Sequence, residues 1–365
     1  MSQRLLDKKI GNKYIKCDLI SEKTAMENLK FVSIIIPCYN EKEYIEKCLE
    51  SILENDYPDR LSEVLIIDGM SDDGTREIIN DFITQHKQVC LIDNPERIKP
   101  RALNIGIANS SGDIIIRMDA HAIYEKDYIS KCVRYLIEFE VDNVGGLRKT
   151  LPGSKTIIAR AIAESISSPF AAGNATYRIG AANQKLVDTV FGGCYHKETF
   201  EKIGLFNEKL IRGQDREFNI RLKRSGGKIL FSPDIVCYYF ARSDLLEFIE
   251  WIYKGGMTSF FVSKIVGYSV LSWRSFVPPL FVFGIIVALP ISLLSRDMFL
   301  IVLTISSIYM LLNLLFSVKI SVKAKDLRLL FIMPLIFFLT HLIYGIGSYI
   351  GIFRPVSSEI PWGSS

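Results

Sequence analysis

The sequence predicts an α/β fold, with a largely parallel sheet covered by helices on both faces and a helical membrane region after it. Three observations carry this. Short apolar runs alternate with helix-length segments from Phe31 onward. That alternation favours parallel strands joined by crossover helices. Beyond Ser275 the chain turns apolar, and three runs there hold no Lys, Arg, Asp or Glu.

The elements follow in order. Val32–Pro37 reads as a strand and Glu41–Glu54 as a helix. Glu63–Asp68 is a strand, Gly74–Gln85 a helix, Val89–Asp93 a strand and Arg101–Asn109 a helix. Asp113–Met118 is a strand and Lys126–Phe139 a helix. The rest of the soluble part reads as mixed. Strands are predicted near Val144–Lys149, Leu186–Tyr195 and Lys228–Tyr239, and helices near Lys155–Ser167, Glu198–Ile203 and Asp215–Arg224.

The apolar runs are Phe276–Leu294, Met298–Val318 and Leu329–Phe353. Each is near the roughly 20 residues a helix needs to cross a bilayer. The first link, Ser295-Arg296-Asp297, has one basic residue, whereas the second carries Lys319, Lys323, Lys325 and Arg328. Basic residues stay on the cytoplasmic side. The second link and the large N-terminal domain are therefore expected inside and the C-terminus outside. Leu245–Leu271, with Trp251, Tyr253, Phe260, Phe261 and Tyr268, reads as interfacial. The expected organisation is an extension over 1–30, an α/β domain over 31–244 and interfacial helices over 245–275. A region of about three membrane helices over 276–353 and a tail over 354–365 complete it.

No secretory signal peptide is read at Met1–Lys30, which is polar and charged. The seven cysteines all precede the apolar runs and include no Cys-x-x-Cys pair, so reduced, mostly buried thiols are expected. The net charge of +4 is modest, and no basic-aromatic pattern points to nucleic acid. No Gly-x-Gly-x-x-Gly follows the first strand and no Walker Gly-Lys-Ser/Thr is present, which disfavours a dehydrogenase or phosphate-loop ATPase.

Acidic residues instead end the strands: Glu41 after the first, Asp68 on the second and Asp119 after the fourth. A carboxylate there can accept a nucleobase N–H or ribose hydroxyls. Asp119 and His121 lie two residues apart at a strand end, so extended backbone would turn both to one face. A carboxylate plus an imidazole suits Mn²⁺ or Mg²⁺ held partly by phosphate oxygens. Lys99 and Arg101, at a helix start, are available for pyrophosphate.

Five segments together resemble glycosyltransferase family 2, whose catalytic domain has the GT-A fold. They are Ser33-Ile-Ile-Ile-Pro-Cys-Tyr-Asn-Glu41, Ile67-Asp-Gly-Met-Ser-Asp-Asp-Gly-Thr75, Pro100-Arg-Ala-Leu-Asn-Ile-Gly106, Asp119-Ala-His121 and Gly213-Gln-Asp-Arg-Glu217. Ala175-Thr-Tyr-Arg-Ile-Gly180, Asp188-Thr-Val-Phe-Gly-Gly193 and Ala241-Arg-Ser-Asp-Leu245 are similar to its ExoA-like, succinoglycan-type exopolysaccharide branch. The resemblance implies that Pro37, Tyr39, Glu41 and Asp68 line the nucleoside pocket and that Arg101 lies near base or pyrophosphate. It implies that Asp119 and His121 take the place of the family's Asp-x-Asp metal motif. Asp215 would be the catalytic base, and Arg242 would lie near donor phosphates or acceptor. Gly69 stands where many members have a second Asp, and Gln214 where Glu is usual. No Gln-x-x-Arg-Trp segment appears, which disfavours a processive synthase.

The function so implied is a membrane-anchored inverting glycosyltransferase of the inner membrane, with its catalytic domain cytoplasmic. It would move one sugar from a nucleotide-sugar, expected to be a UDP-sugar, to a lipid-linked saccharide acceptor. Two alternatives stand beside it: loading of a sugar onto polyprenyl phosphate, and a non-catalytic nucleotide-sugar-binding scaffold. The oligomeric state is left open.

Overall fold

Four parallel strands build the first half of a single sheet: β1 (Val32–Cys38), β2 (Ser62–Asp68), β3 (Val89–Asp93) and β4 (Ile114–Arg117). The computed structural model describes residues 30–173 and 175–355. Most of the N-terminal extension, most of the C-terminal tail and Cys17 lie outside the described residues. The remaining strands are β5 (Ala122–Tyr124), β6 (Asn143–Pro152), β7 (Lys185–Leu186), β8 (Cys194–His196) and β9 (Ile229–Ala241). The order across the sheet is β3-β2-β1-β4-β8-β6-β9-β5, with β7 against β9.

Side-chain alternation explains the layers. Ile34, Ile36, Val64, Ile66, Ile114 and Ile116 face one side, where helices α1 (Ile45–Leu53) and α4 (Tyr128–Glu138) cover them. Ile35, Leu65, Ile67 and Ile115 face the other side, under α3 (Lys99–Asn109) and Phe200, Phe206 and Phe218. Helix α2 (Thr75–Gln85) packs Ile79 at the edge of the first core. Burying both faces accounts for near-continuous apolar strands. Gly106 lets α3 lie close on β1, since a Cβ there would strike the Ile35 side chain. That approach brings Lys99, the first residue of α3, to the carboxyl edge of the sheet.

The second half is mixed. β8 runs antiparallel between β4 and β6, while β9 pairs with β6 in parallel and with β5 antiparallel. The strand expected over Leu186–Tyr195 is two short strands with a loop between. The reason lies in two glycines, Gly192 (φ 69) and Gly193 (φ 117), which turn the chain where L side chains are strained. The Gly193 carbonyl then accepts from the Arg117 N–H at 2.9 Å, and a Cβ at 192 would press on the Arg117 carbonyl. Strand β5 and the short helices Pro169–Ala172 and Thr176–Ile179 were not anticipated from the pattern. All are shorter than the windows in which periodicity is legible. Six described cysteines are free, and five of them are buried.

Helix α5 (Ile157–Ile166) and helix α6 (Gln214–Arg224) complete the soluble part. Helix α7 (Leu245–Val266) follows, and then three helices long and apolar enough to cross a membrane: Trp273–Ser292, α8 (Arg296–Ala324) and α9 (Arg328–Phe353). Helix α7 lies against α9 through glycines. A Cβ at Gly256 would collide with the Tyr344 carbonyl, one at Gly347 with that of Tyr253, and one at Gly351 with that of Met257. A second joint ties α9 to the soluble part. Ile162 and Ile166 of α5 share a core with Ile252 of α7 and with Leu329, Met333 and Phe337 of α9. Beside it Arg160 donates to Asp326 at 3.0 Å and to the Ala324 carbonyl at 2.8 Å.

Small residues at a helix contact cannot be enlarged without parting the backbones. Gly347→Leu should therefore destabilise the detergent-solubilised protein by about 1–3 kcal/mol. Gly284→Ala should not, because nothing lies within 4 Å of a Cβ there. Paired melting curves check this, and equal melting temperatures would refute the contact.

Candidate active site

The carboxyl ends of β1 and β2 form one end of the site. Asp68, at the last position of β2, is fully buried. Its Oδ2 accepts from Arg76 Nη1 at 2.6 Å and from the Ser71 N–H at 3.0 Å, and its Oδ1 accepts from Ser71 Oγ at 2.5 Å. Arg76 also reaches Asp93 at 2.8 Å, which ties α2 to the ends of β2 and β3. Pro37 is the penultimate residue of β1, and Tyr39 follows that strand. The Tyr39 ring lies on the backbone of Gly69, where an added Cβ would sit 3.0 Å from Cδ2. A side chain at position 69 would push this ring away. Arg97 lies over the same ring, with its guanidinium carbon 5.4 Å from the ring centre. An aromatic ring and a guanidinium at a sheet edge can sandwich a nucleobase.

The centre is built around Arg117, the last residue of β4. Its Nη2 lies 3.1 Å from Asp119 Oδ1 and its Nη1 lies 2.5 Å from Asp215 Oδ2, with the side chain only 5 % exposed. Lys99 Nζ meets the same Asp119 oxygen at 2.6 Å. Burial opposes ionisation of Asp119, but Lys99, Arg117 and His121 outweigh it and hold the carboxyl well below the usual range. Asp119 and His121 do come together, but not by strand alternation. β4 ends at Arg117, and both residues occupy the turn before β5, closed by the Ala122 N–H on the Asp119 carbonyl at 3.2 Å.

His121 Nδ1 lies 2.8 Å from Glu41 Oε1. Its ring meets Tyr239 edge-on at 5.0 Å between centroids. Burial would lower its pKa, but Tyr239, Glu41 and Asp119 raise it to about 9. Glu41 thus binds the imidazole from the β1 side, while Thr75 Oγ1 accepts from the Glu41 N–H at 2.9 Å.

Asp215 is the second residue of α6, after Gly213 in the left-handed region (φ 81). Its Oδ2 is held by Arg117, while its Oδ1 is buried without a hydrogen-bond partner. A buried acceptor of this kind calls for a donor. Glu217, the next carboxylate on α6, is already engaged by Arg221 at 2.6 Å and by the Tyr268 hydroxyl at 2.6 Å.

Two expected residues sit further out. Arg101 pairs with Glu208 at 3.1 Å and Glu96 at 3.3 Å, with its side chain 41 % exposed. Helix α3 begins at Lys99, so Lys99 takes the central place. Arg242 follows β9 and lies 5.5 Å from the Trp251 ring. His196 pairs in register with Ile114 at the start of β4, the end of the sheet away from Asp119. It borders an open cavity of about 580 Å³ with Ile137, Glu140 and Asp142, which contains none of the residues above.

The sequence pattern assigned no role to Arg117, Arg148 or Tyr239, and marked Arg178 only as part of the segment Ala175–Gly180. Arg117 left a signal, a lone charge closing an apolar run. Arg148 left none, because the adjacent Lys149 makes the pair look like a solvated strand end.

The donor set for a divalent cation is small. Among the described residues no three of His, Cys, Asp and Glu gather as a metal cage. Asp119 offers a hard carboxylate whose cationic contacts both fall on Oδ1. His121 offers an imidazole once it gives up its proton. Two protein donors suit an ion completed by diphosphate oxygens, as Mg²⁺ commonly is in such sites.

The Glycosyl transferase family 2 profile matches residues 33–203. A Methanococcus voltae protein named dolichyl N-acetyl-alpha-D-glucosaminyl phosphate 3-beta-D-2,3-diacetamido-2,3-dideoxy-beta-D-glucuronosyltransferase is 30% identical over 333 residues, 89% of this chain and 98% of that one. Succinoglycan biosynthesis protein ExoA of Rhizobium meliloti (strain 1021) is 31% identical over 224 residues, 61% of this chain and 66% of that one. Mannosyltransferase PcManGT from Pyrobaculum calidifontis, solved with GDP-Man and Mn²⁺, superposes with a TM-score of 0.55 over 88% of this chain and 87% of that one, at 21% identity. That likeness is one of fold, the GT-A arrangement.

The His121–Glu41 contact has a pH signature in the metal-free protein. The histidine pKa rises from 6.5 to about 9 on folding. Its stabilisation is complete below the unfolded value and is lost as pH rises through the folded one. In EDTA, wild type should lose more melting temperature between pH 6.5 and 9.5 than His121→Gln. Parallel curves for the two proteins would remove the charged pair.

Proposed function

The chain belongs to glycosyltransferase family 2, and we propose that it is a membrane-anchored inverting transferase. It moves one sugar from a nucleotide-sugar, expected to be a UDP-sugar, to a lipid-linked saccharide acceptor in exopolysaccharide or cell-surface glycan synthesis. The observation that carries this reading is Arg117, which joins Asp119 on the donor side to Asp215 on the acceptor side.

Tyr39, with Arg97 beside it, receives the nucleobase, and Asp68 fixes the loop beneath by its bonds to Ser71 and Arg76. Asp119 and His121 would hold a Mn²⁺ or Mg²⁺ ion, which offsets charge on the leaving diphosphate. Lys99 and Arg117 bring fixed positive charge to the same place. Asp215 takes the proton of the acceptor hydroxyl on Oδ1, the oxygen without a partner. Arg117 keeps that carboxylate aimed through Oδ2. Attack from the side opposite the leaving nucleotide inverts the anomeric carbon.

The lipid-linked acceptor is supported by the Methanococcus voltae relative, whose name gives a dolichyl-linked sugar phosphate. Three helices of spanning length support the membrane anchor. The orientation is supported by Arg160, a residue of the soluble part, which binds Asp326 and the Ala324 carbonyl in the second, basic link. Soluble part and basic link thus lie on one side, the cytoplasmic side by charge.

Asp215→Asn should lower transfer by about 10²–10⁴ with nucleotide affinity nearly unchanged. Calorimetry of UDP and GDP beside a transfer assay over a panel of sugar nucleotides checks both halves. Near-normal transfer would exclude Asp215 as the base, and a collapse of nucleotide affinity would move it to the donor site. Asp119→Ala should abolish transfer. A monosaccharide-phosphate lipid as product would favour polyprenyl phosphate as the acceptor. The full chain should stay in membranes through a carbonate wash, and its release would overturn the anchor.

A further inference from the structure

Beside the donor centre four arginines gather with no described carboxylate in direct contact; Glu250 acts on Arg212 and Arg242 from longer range. Arg148 on β6 is 4 % exposed, and its guanidinium carbon lies 4.3 Å from the ring centre of Tyr239, 5.1 Å from Phe191 and 5.6 Å from Tyr177. Its Nε and Nη2 are buried with no acceptor, and so is Nε of Arg178. Arg178 stacks on Tyr177 at 5.4 Å and on Trp251 at 5.7 Å, and Arg242 stacks on the same Trp251 at 5.5 Å. Arg212 lies close enough to Arg242 for their charges to oppose one another. Among the described residues no carboxylate forms an ion pair with any of the four.

Aromatic faces compensate a guanidinium in part, but they accept none of its in-plane N–H groups. Burying like charges with unsatisfied donors is costly unless an anion completes the site. The three stretches Ala175–Gly180, Asp188–Gly193 and Ala241–Leu245 are far apart in sequence, yet they supply Tyr177, Arg178, Phe191 and Arg242 to this one place.

Position identifies the anion. Tyr239 stands between His121 and Arg148, so the cluster adjoins the donor centre on the side away from Asp68. Asp215 is close enough for its charge to act on Tyr177. Trp251 belongs to α7, which packs along the apolar helix α9. Next to Arg242 and Trp251 the side chains of Ile162, Ile166, Ala241 and Phe248 close to a crevice of only about 10 Å³, too small for a hydrocarbon chain. Charged donors beside α7, at the foot of membrane-length helices, match an amphiphile with a phosphorylated head.

We propose that Arg148 and Arg178, with Arg242 at the rim, bind the phosphate or diphosphate that joins the acceptor sugar to its lipid carrier. This rests on the reading of a lipid-linked acceptor above and assigns the residues that hold it. The head group would lie on Arg148 and Arg178, the isoprenoid chain along α7 toward the apolar helices, and the sugar toward Asp215.

The test uses the full chain in detergent, with farnesyl diphosphate as probe and farnesol, inorganic diphosphate and UDP as comparisons. Farnesyl diphosphate should bind and raise the melting temperature, farnesol should not, and inorganic diphosphate should bind more weakly. Arg178→Gln and Arg148→Lys should each weaken farnesyl diphosphate about tenfold or more, because each removes charge-assisted hydrogen bonds. UDP affinity should be unchanged in both, which also shows that the variants are folded. Loss of UDP affinity with farnesyl diphosphate unaffected would give the cluster to the donor. Inorganic diphosphate binding as tightly as the lipid would make a free anion the ligand and overturn the lipid assignment. Undiminished farnesyl diphosphate binding in both variants would also overturn it. These arms need no turnover, so they decide the inference even where no lipid-linked sugar is extended, the outcome that would defeat the functional reading itself.

Discussion

The site depends on one buried ion triad. Arg117 holds Asp119 with one nitrogen and Asp215 with another, and its side chain is almost wholly buried. Asp119 lies in the turn that ends the parallel half of the sheet, and Asp215 opens a helix nearly a hundred residues later. A guanidinium is planar and always charged, so it binds the two carboxylates through separate nitrogens at once and helps hold the Asp119 carboxyl well below its usual range. Removing one member of such a set leaves the others uncompensated, at about 3–5 kcal/mol. The same residue's backbone N–H reaches the Gly193 carbonyl, so β8 is tied to the triad as well. Lys99 adds a second cation to Asp119, and the close approach of α3 through Gly106 puts it there.

Around this centre the chemistry grades along the carboxyl edge of the sheet. Asp68, Tyr39 and Arg97 stand at one end, the triad and His121 in the middle, and Tyr239 with the arginine cluster beyond. Glu41, two residues after Tyr39, links the first end to His121. Tyr239 carries the last step, with His121, Arg148 and Arg242 bringing its hydroxyl below its ordinary pKa against the effect of burial.

The parallel half of the sheet was legible because each strand is a continuous apolar run covered on both faces. The segments that hold Asp119, His121 and Asp215 were legible as family motifs, since their order and spacing are specific. The geometry behind them was not. A turn, not strand alternation, brings Asp119 and His121 together. Helix α3 starts two residues before the expected Arg101, and that shift exchanges Arg101 for Lys99 at the centre. Arg117 was hidden because a charge inside an apolar strand gives no clue to its partners, which lie far away in sequence. Arg148 was hidden because its neighbour Lys149 faces outward, so only the pairing of β6 with β9 separates the buried cation from the solvated one.

The joint at Arg160, Asp326 and the α5–α7–α9 core has a consequence for what can be built. It clamps the catalytic half to the apolar helices as one body. With those helices in a bilayer, Asp215 stays at a fixed height above the lipid surface. Such a body is a ruler. Under the proposed function, a saccharide anchored at its lipid end would present a hydroxyl to Asp215 only with the right number of units between anchor and tip. Chain length as well as sugar identity would then set when transfer occurs.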